Sequence, residues 1–332
     1  MVKIDVRKLI SFGKGSFIIS MPKKWIEKNS LKKGDIISVN DEGSDLVISA
    51  NQQDSKPDSK EITIDTKEKD MKMLKSEIVS SYLNCYDTIN ILFESNDKQA
   101  PQIKDIIRNL SGLEIMEQTS TRITAKNLIN INEISLNNII RRMDIITRAM
   151  MEDTILCYRG QSIYESIFNR DIDVNRLYFL AHRVVKNAMK NPRIAKSLET
   201  APWKLHNDTL VIIRLEKIAD RQKRIARYVC AAELDRATLA ELDKLHTDIS
   251  ESYNNVMKAY YNQDLATAFK VEVTNNEKIE ACDKFLEKYT KNYSMKGKNA
   301  SSNQVAVAKI GENLKATATS IKYIARTVIC YE

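Results

Sequence analysis

The residues with the clearest capacity for chemistry are two acids one helical turn apart, Glu216 and Asp220. Apolar or uncharged residues recur around them at steps of three and four, as on one face of an α-helix: Val211, Leu215, Ile218, Gln222, Ile225 and Val229. Because residues four apart project from the same side of a helix, the two carboxylates lie together. Ala219 and Ala226 lie close by, which leaves room for a cation or for a neighbouring helix.

The same helix offers these acids a second role, as members of a solvated surface with ion pairs. The bases near enough to pair with them are Lys217, Arg221, Lys223 and Arg224. Hard cations bind several oxygen ligands from converging elements, so one acidic pair alone does not complete a metal site. The spacing leaves both interpretations open.

A second copy of this helix lies 99 residues further along the chain. Leu314–Val328 aligns with Leu215–Val229, and the identical residues of the second copy are Leu314, Ala318, Lys322, Ile324, Ala325, Arg326 and Val328. The acids are not kept, since Lys315 replaces Glu216 and Thr319 replaces Asp220. The repeat predicts a duplicated helical unit that preserves its packing face and loses its acidic pair.

Composition predicts a cytoplasmic chain of two or three domains. Its 332 residues exceed one ordinary core, and only 8 Gly and 5 Pro favour helices over an all-β fold. The sequence shows neither an apolar run long enough for a membrane span nor a signal peptide. The cysteines are widely spaced without a C-x-x-C pair, which predicts reduced, mostly buried thiols: Cys85, Cys157, Cys230, Cys282 and Cys330.

The net charge of +8 is concentrated at the N-terminus. Residues 1–33 hold nine Lys or Arg and two acids, whereas the remainder holds 43 basic and 42 acidic residues. Such asymmetry indicates either a module that meets a polyanion or a solubilising surface.

Short strands and turns are predicted for residues 1–50. Strands are expected at 6–10, 16–21, 36–39 and 46–48, with a short helix from Pro22 to Lys28. Because fifty residues of this kind bury little surface alone, we expect a dimer.

This segment resembles the AbrB/SpoVT swapped-hairpin DNA-binding domain. The resemblance rests on three patterns, Arg7-x-Leu9-x-x-x-Gly13, Ser16-x-x-Ile19-x-x-Pro22-x-x-Trp25 and Leu31-x-x-Gly34-Asp35-x-Ile37. It implies a small β-barrel interleaved from two chains, with five basic residues facing DNA: Arg7, Lys8, Lys14, Lys23 and Lys24. The alternative is a module that only dimerises the protein.

The middle of the chain is predicted to be a small α/β connector at 67–130, preceded by a polar segment at 51–66. Six helices then follow in two sets of three, at 134–230 and 235–332. The three histidines, His182, His206 and His246, form no catalytic arrangement, so an enzyme is not expected.

The helical half resembles the PhoU family of phosphate-uptake regulators. The carrying residues are 215–220 with Ile225 and Ala226, and 169–179 with Arg183. The family's acidic-x-x-x-acidic pairs hold iron or zinc in some members. Mapped here, this implies at most one metal site in the first repeat, made by Glu216, Asp220 and Asp171; Asn175 stands where the family usually has Asp.

Together these observations predict an α+β, mostly α chain with a swapped-hairpin barrel, an α/β unit and tandem three-helix bundles. The resemblances imply a dimeric, DNA-binding, negative regulator of phosphate uptake. The alternative is a PhoU-type helical adaptor that acts on the ATPase subunit of the phosphate transporter, with an N-terminal module that only dimerises.

Overall fold

A computed structural model describes residues 6–41, 43, 45–50, 60–94, 99–190, 201–291 and 300–330. The chain divides into two units, Met1–Ser59 and Lys60–Glu332. The predicted linker at 51–66 lies mostly outside the described residues.

The first unit consists of two hairpins and a short helix. Its elements are β1 Ile10–Phe12, β2 Ser16–Ile18, α1 Lys23–Lys28, β3 Ile37–Asp41 and β4 Leu46–Ala50. Strand β1 pairs antiparallel with β2, and β3 pairs antiparallel with β4. The predicted bounds of the first two strands are wrong: β1 shares only Ile10 with the strand predicted at 6–10 and continues to Phe12, and β2 ends at Ile18 rather than Met21.

This unit has no interior of its own among its described residues. None of the side chains described in residues 6–50 is buried, and ten large apolar residues are exposed: Val6, Leu9, Ile10, Phe12, Phe17, Ile18, Ile19, Ile36, Val39 and Leu46. The described strands form two separate two-stranded sheets rather than a closed barrel. A swapped-hairpin barrel needs a second chain, so it stays a prediction.

The second unit opens with a four-stranded sheet covered by two helices. Its elements are β5 Glu61–Asp65, α2 Met71–Leu83, β6 Thr88–Leu92, α3 Ala100–Arg108, β7 Leu113–Gln118 and β8 Arg122–Asn127. The strand order is β5-β6-β8-β7, with β5 parallel to β6 and the other pairs antiparallel. Strands β7 and β8 are consecutive and antiparallel, so they form a hairpin.

Six helices complete the second unit: α4 Leu136–Tyr158, α5 Tyr164–Lys190, α6 Pro202–Ala231, α7 Arg236–Asn262, α8 Leu265–Lys291 and α9 Ala300–Ile329. Their starts follow local signals. Ser135 and Asp235 cap α4 and α7, since each side chain accepts a hydrogen bond from a backbone N–H three residues on. Proline at the first position begins α6. The predicted helices are confirmed, and none of those described is long and apolar enough to cross a membrane.

The two sets of three helices share one hydrophobic core. Helices α4, α5 and α6 contact one another, as do α7, α8 and α9, while α6 packs on α9 and α4 packs on α7 across the sets. Buried residues of both sets form a single cluster. The tandem bundles are therefore one packed body.

The α/β part is attached to α5 through a buried guanidinium. Arg183 is 1% exposed and donates to the carbonyl oxygens of Tyr82 at 2.5 Å and Tyr86 at 3.1 Å. It also lies 3.5 Å from an oxygen of Asp87 and over the Tyr82 ring. Because buried donors and acceptors are costly to leave unpaired, this contact fixes the α/β part against the helices.

Candidate functional site

The acids singled out from the sequence are brought together at the contact between α5 and α6. The apolar face of α6 is buried in the shared core, including Leu215, Ile218 and Ala219. This turns Asp220 and the half-buried Glu216 towards α5, where Asp171 lies buried. Asp171 and Asp220 meet at Lys223, whereas Glu216 is linked to both of them only through the effect of their charges on its pKa.

A lysine ammonium lies between two of these carboxylates. Lys223 Nζ is 2.6 Å from Asp171 Oδ2 and 3.1 Å from Asp220 Oδ1. Asn175 Nδ2 also donates to Asp171 Oδ2, at 3.1 Å, and Arg224 binds the other oxygen of Asp220 at 2.6 Å. The two negative charges of Asp171 and Asp220 are therefore matched by the two positive charges of Lys223 and Arg224.

The pKa values of these groups reflect competition between burial and ion pairing. Burial raises the pKa of Asp171, with Lys223 acting in the opposite direction. Burial lowers the pKa of Lys223, but its bonds to Asp171 and Asp220 outweigh burial and leave the pKa raised. The ammonium consequently stays charged at neutral pH.

Glu216 has a different environment from Asp220. Burial raises its pKa, and the charges of Asp220 and Asp171 raise it further, while Lys217 and Lys223 act against them. The negative charges of Asp220 and Asp171 therefore disfavour the ionised form of Glu216.

These residues fit an ammonium better than a metal ion. Asp171 Oδ2 already accepts hydrogen bonds from Lys223 and Asn175. Within the described ranges, no three His, Cys, Asp or Glu side chains are grouped so that they could hold a metal. The iron or zinc site implied by the resemblance stays a prediction.

The second repeat holds a related arrangement with different acids. Lys322, which aligns with Lys223, donates to Asn276 Oδ1 at 2.6 Å and lies 3.7 Å from Glu272 Oε1. Lys315, at the position of Glu216, binds Asp283 at 2.6 Å. The second repeat therefore places one ammonium group, that of Lys315, where the first repeat has Glu216.

A cavity of about 370 Å³ opens beside the acidic cluster, between α2 and α3 on one side and α5 and α6 on the other. Asp171, Asn175 and Lys223 contribute its polar wall, while Phe168 and Phe179 contribute part of its apolar wall. A small molecule bound here would contact both the α/β part and the first repeat.

The five residues predicted to face DNA are all exposed in the first unit. Lys23 lies 3.7 Å from Glu27 on the same helix, an exposed ion pair of little energetic weight. Exposure is compatible with DNA contacts and with a merely soluble surface.

Two buried aspartates were not singled out by sequence reasoning. Asp144 accepts from Tyr253 at 2.8 Å and from Tyr261 at 3.1 Å, and it pairs with Arg148. Asp208 accepts from Tyr260 at 2.6 Å and pairs with Lys204 at 2.7 Å. Both sites bind α7 to helices of the first repeat. The sequence could have indicated both sites, because each aspartate lies among the apolar residues on one face of its helix.

The histidines and thiols resemble structural groups. Burial lowers the pKa of His246 to about 3, and its Nδ1 lies 3.2 Å from the hydroxyl of Tyr158. Burial raises the pKa of Cys157 and of Cys282 to about 12, so neither is a reactive thiolate. Cys230 and Cys330 are exposed, contrary to the expectation of burial, because each lies at the end of its helix.

Comparison with known proteins agrees with this helical architecture. Residues 140–229, which run from α4 to the end of α6, match the family model of the PhoU domain. The crystal structure of PhoU from Pseudomonas aeruginosa is similar to 59% of this chain and 94% of its own, with a TM-score of 0.50 and 14% sequence identity. No curated protein gave a match. Such identity indicates a shared fold alone, and the match to the PhoU domain model concerns residues 140–229.

Proposed function

We propose that the protein is a non-catalytic regulator of phosphate uptake that works as a helical adaptor in the cytoplasm. The observation that carries this proposal is the match of residues 140–229 to the PhoU domain model, within a continuous helical body. Its partner would be the ATPase subunit of a phosphate transporter, as the family resemblance implies. The charge cluster of α5 and α6 would then stabilise the adaptor rather than perform chemistry.

An adaptor needs an exposed contact surface, and α8 supplies a candidate. Phe269 and Val273 lie four residues apart on one side of this helix and are 53% and 61% exposed. Single exposed apolar residues are common, but two on one helix face are suited to a groove of a partner. We therefore assign the partner contact to this side of α8.

Co-purification with the transporter ATPase tests the proposal. The full chain should retain the ATPase subunit, and Phe269→Ser with Val273→Ser should reduce retention at least about tenfold, which corresponds to about 1.4 kcal/mol. The matched control is Ile145→Ser, which changes a similarly exposed apolar residue on α4. Absence of retention by the unmodified chain would reject the adaptor function. Equal loss in the control would reject the assignment to α8.

The N-terminal unit supports a second role, dimerisation with or without DNA binding. Its ten exposed apolar residues and lack of an interior support a partner chain that covers them. Its basic side chains support DNA as a further partner. Sedimentation of the full chain should give a dimer, and a monomer at micromolar concentration would contradict this role.

DNA binding is separable from dimerisation by charge reversal. If DNA binds, Lys23→Glu with Lys24→Glu should weaken retardation of promoter fragments and reduce its salt dependence. Lys32→Glu with Lys33→Glu is the matched control, since it makes the same charge change on the same unit. Unchanged retardation in the first variant would remove Lys23 and Lys24 from the interface. No retardation of any fragment by the unmodified chain would leave the adaptor without a DNA role.

A further inference from the structure

The same three-residue arrangement occurs once in each repeat. On the second helix of each set, an acid and an asparagine lie four residues apart, Asp171 with Asn175 on α5 and Glu272 with Asn276 on α8. A lysine of the third helix lies against each pair, Lys223 on α6 and Lys322 on α9. Since these lysines also align in the sequence repeat, the arrangement was duplicated with the fold.

Each ammonium group binds a side-chain oxygen of the neighbouring helix, the kind of ligand that a hard cation would also take. Lys223 bridges Asp171 on α5 and Asp220 on α6, so it neutralises carboxylates from two helices at once. Lys322 joins α9 to α8 through Asn276 and through one carboxylate, that of Glu272, which Arg326 of α9 also binds at 3.0 Å. Both lysine side chains are largely covered, at 23% and 18% exposed, which strengthens their interactions relative to surface pairs.

We infer that Lys223 and Lys322 are built-in cations, one in each repeat, and that they let the helical body fold and act without a bound metal. A tethered ammonium supplies positive charge to the oxygens that a metal would need. Asp171 Oδ2 accepts two N–H donors, so a metal could bind it only after Lys223 and Asn175 had moved. The inference is independent of the partner proposed for the regulator.

Thermal unfolding of the full chain tests this role. Lys223→Ala should lower Tm by about 3–8 °C because it leaves two neighbouring carboxylates without their shared cation. The matched control is Lys217→Ala, which removes an exposed lysine from the same helix and should change Tm by less than about 1–2 °C. Equal Tm values for the two variants would overturn the inference.

A compensating variant keeps the test decisive if Lys223→Ala folds poorly. Lys223→Met with Asp171→Asn removes a positive and a negative charge together. This double variant should unfold at a higher temperature than Lys223→Met alone, since a neutral amide needs no counter-ion. A double variant that is no more stable than the single one would contradict the inference.

Metal content supplies a readout that a merely structural lysine would not change. The purified chain, incubated with Mn²⁺, Zn²⁺ or anaerobic Fe²⁺ and then desalted, should retain far less than one equivalent, and chelator should leave its Tm unchanged. In Lys223→Ala, Mn²⁺ or ethylammonium should recover part of the lost Tm by filling the vacated position. Stoichiometric metal in the unmodified chain that is lost in Asp171→Asn would overturn the inference, as would failure of both cations to raise the Tm of Lys223→Ala.

Discussion

The buried His246 should make the stability of the helical body fall as the pH drops from 7 to 5. Its side chain is fully buried at the contact between α4 and α7, where the edge of its ring meets Tyr158. Burial lowers its pKa to about 3, while the charge of Asp243 acts weakly in the opposite direction. The folded protein therefore keeps this imidazole neutral throughout the range.

The sign and size follow from proton linkage. An unfolded histidine has a pKa of about 6.5, so the unfolded chain binds a proton that the folded chain excludes. The stabilisation is complete above pH 6.5 and is lost progressively as the pH falls towards 3. Linkage between these two pKa values gives a loss of about 2 kcal/mol between pH 7 and pH 5. Asp243, whose pKa is lowered by its hydrogen bond to Arg159, contributes only at lower pH.

The assay is urea unfolding of the full chain, followed by helical circular dichroism at pH 7, 6 and 5. His246→Gln cannot take up a proton in this range, so its loss of stability between pH 7 and 5 should be smaller than that of the unmodified chain by about 2 kcal/mol. The control is His206→Gln, an exposed position, which should keep the unmodified pH dependence. If His246→Gln loses as much stability as the unmodified chain, the assignment of this pH dependence to His246 is wrong.

Three further changes test packing by their effect on the free energy of unfolding. Arg183→Met should cost about 2–4 kcal/mol because it leaves the carbonyls of α2 and its loop unpaired, and an unchanged Tm would contradict the buried contact. Gly112→Ala should lower the free energy of unfolding by at least about 2 kcal/mol more than Gly160→Ala. Both glycines have positive φ, but only at Gly112 would the added Cβ meet a neighbour, 2.1 Å from a side-chain atom of Ile129. Tyr260→Phe should lower the free energy of unfolding by about 1–3 kcal/mol because it removes the hydrogen-bond donor to the buried Asp208. Calorimetry measures this loss, and an unchanged stability would contradict it.

The sequence predicts the helical half well because its determinants are local. The period of apolar residues, the cap at Ser135 and the proline that begins α6 act within one or two turns. The first two strands were predicted too long because alternation alone does not specify where a partner strand stops pairing. In the first unit no described side chain is buried, so burial does not determine where one strand stops pairing with the next.

For the candidate site, the sequence pointed to the three carboxylates but not to the ammonium group that pairs with two of them, Asp171 and Asp220. Lys223 was placed only as a helical neighbour of Asp220, whereas its shorter bond is to Asp171, 52 residues earlier. That bond depends on how α5 packs on α6, which spacing along one helix cannot reveal. Asp144 escaped notice for the same reason, because its tyrosine partners come from α7.

One apolar core continues from α4 to α7 and from α6 to α9, which limits the motion of the two sets of helices against each other. A hinge between the duplicated halves would have to open a tightly packed apolar interior, so the six helices should respond to a signal as a rigid block. The buried contact of Arg183 joins the α/β part to α5, so the sheet should move together with this block. The duplicated sets of helices therefore form one rigid body rather than two bodies that move independently.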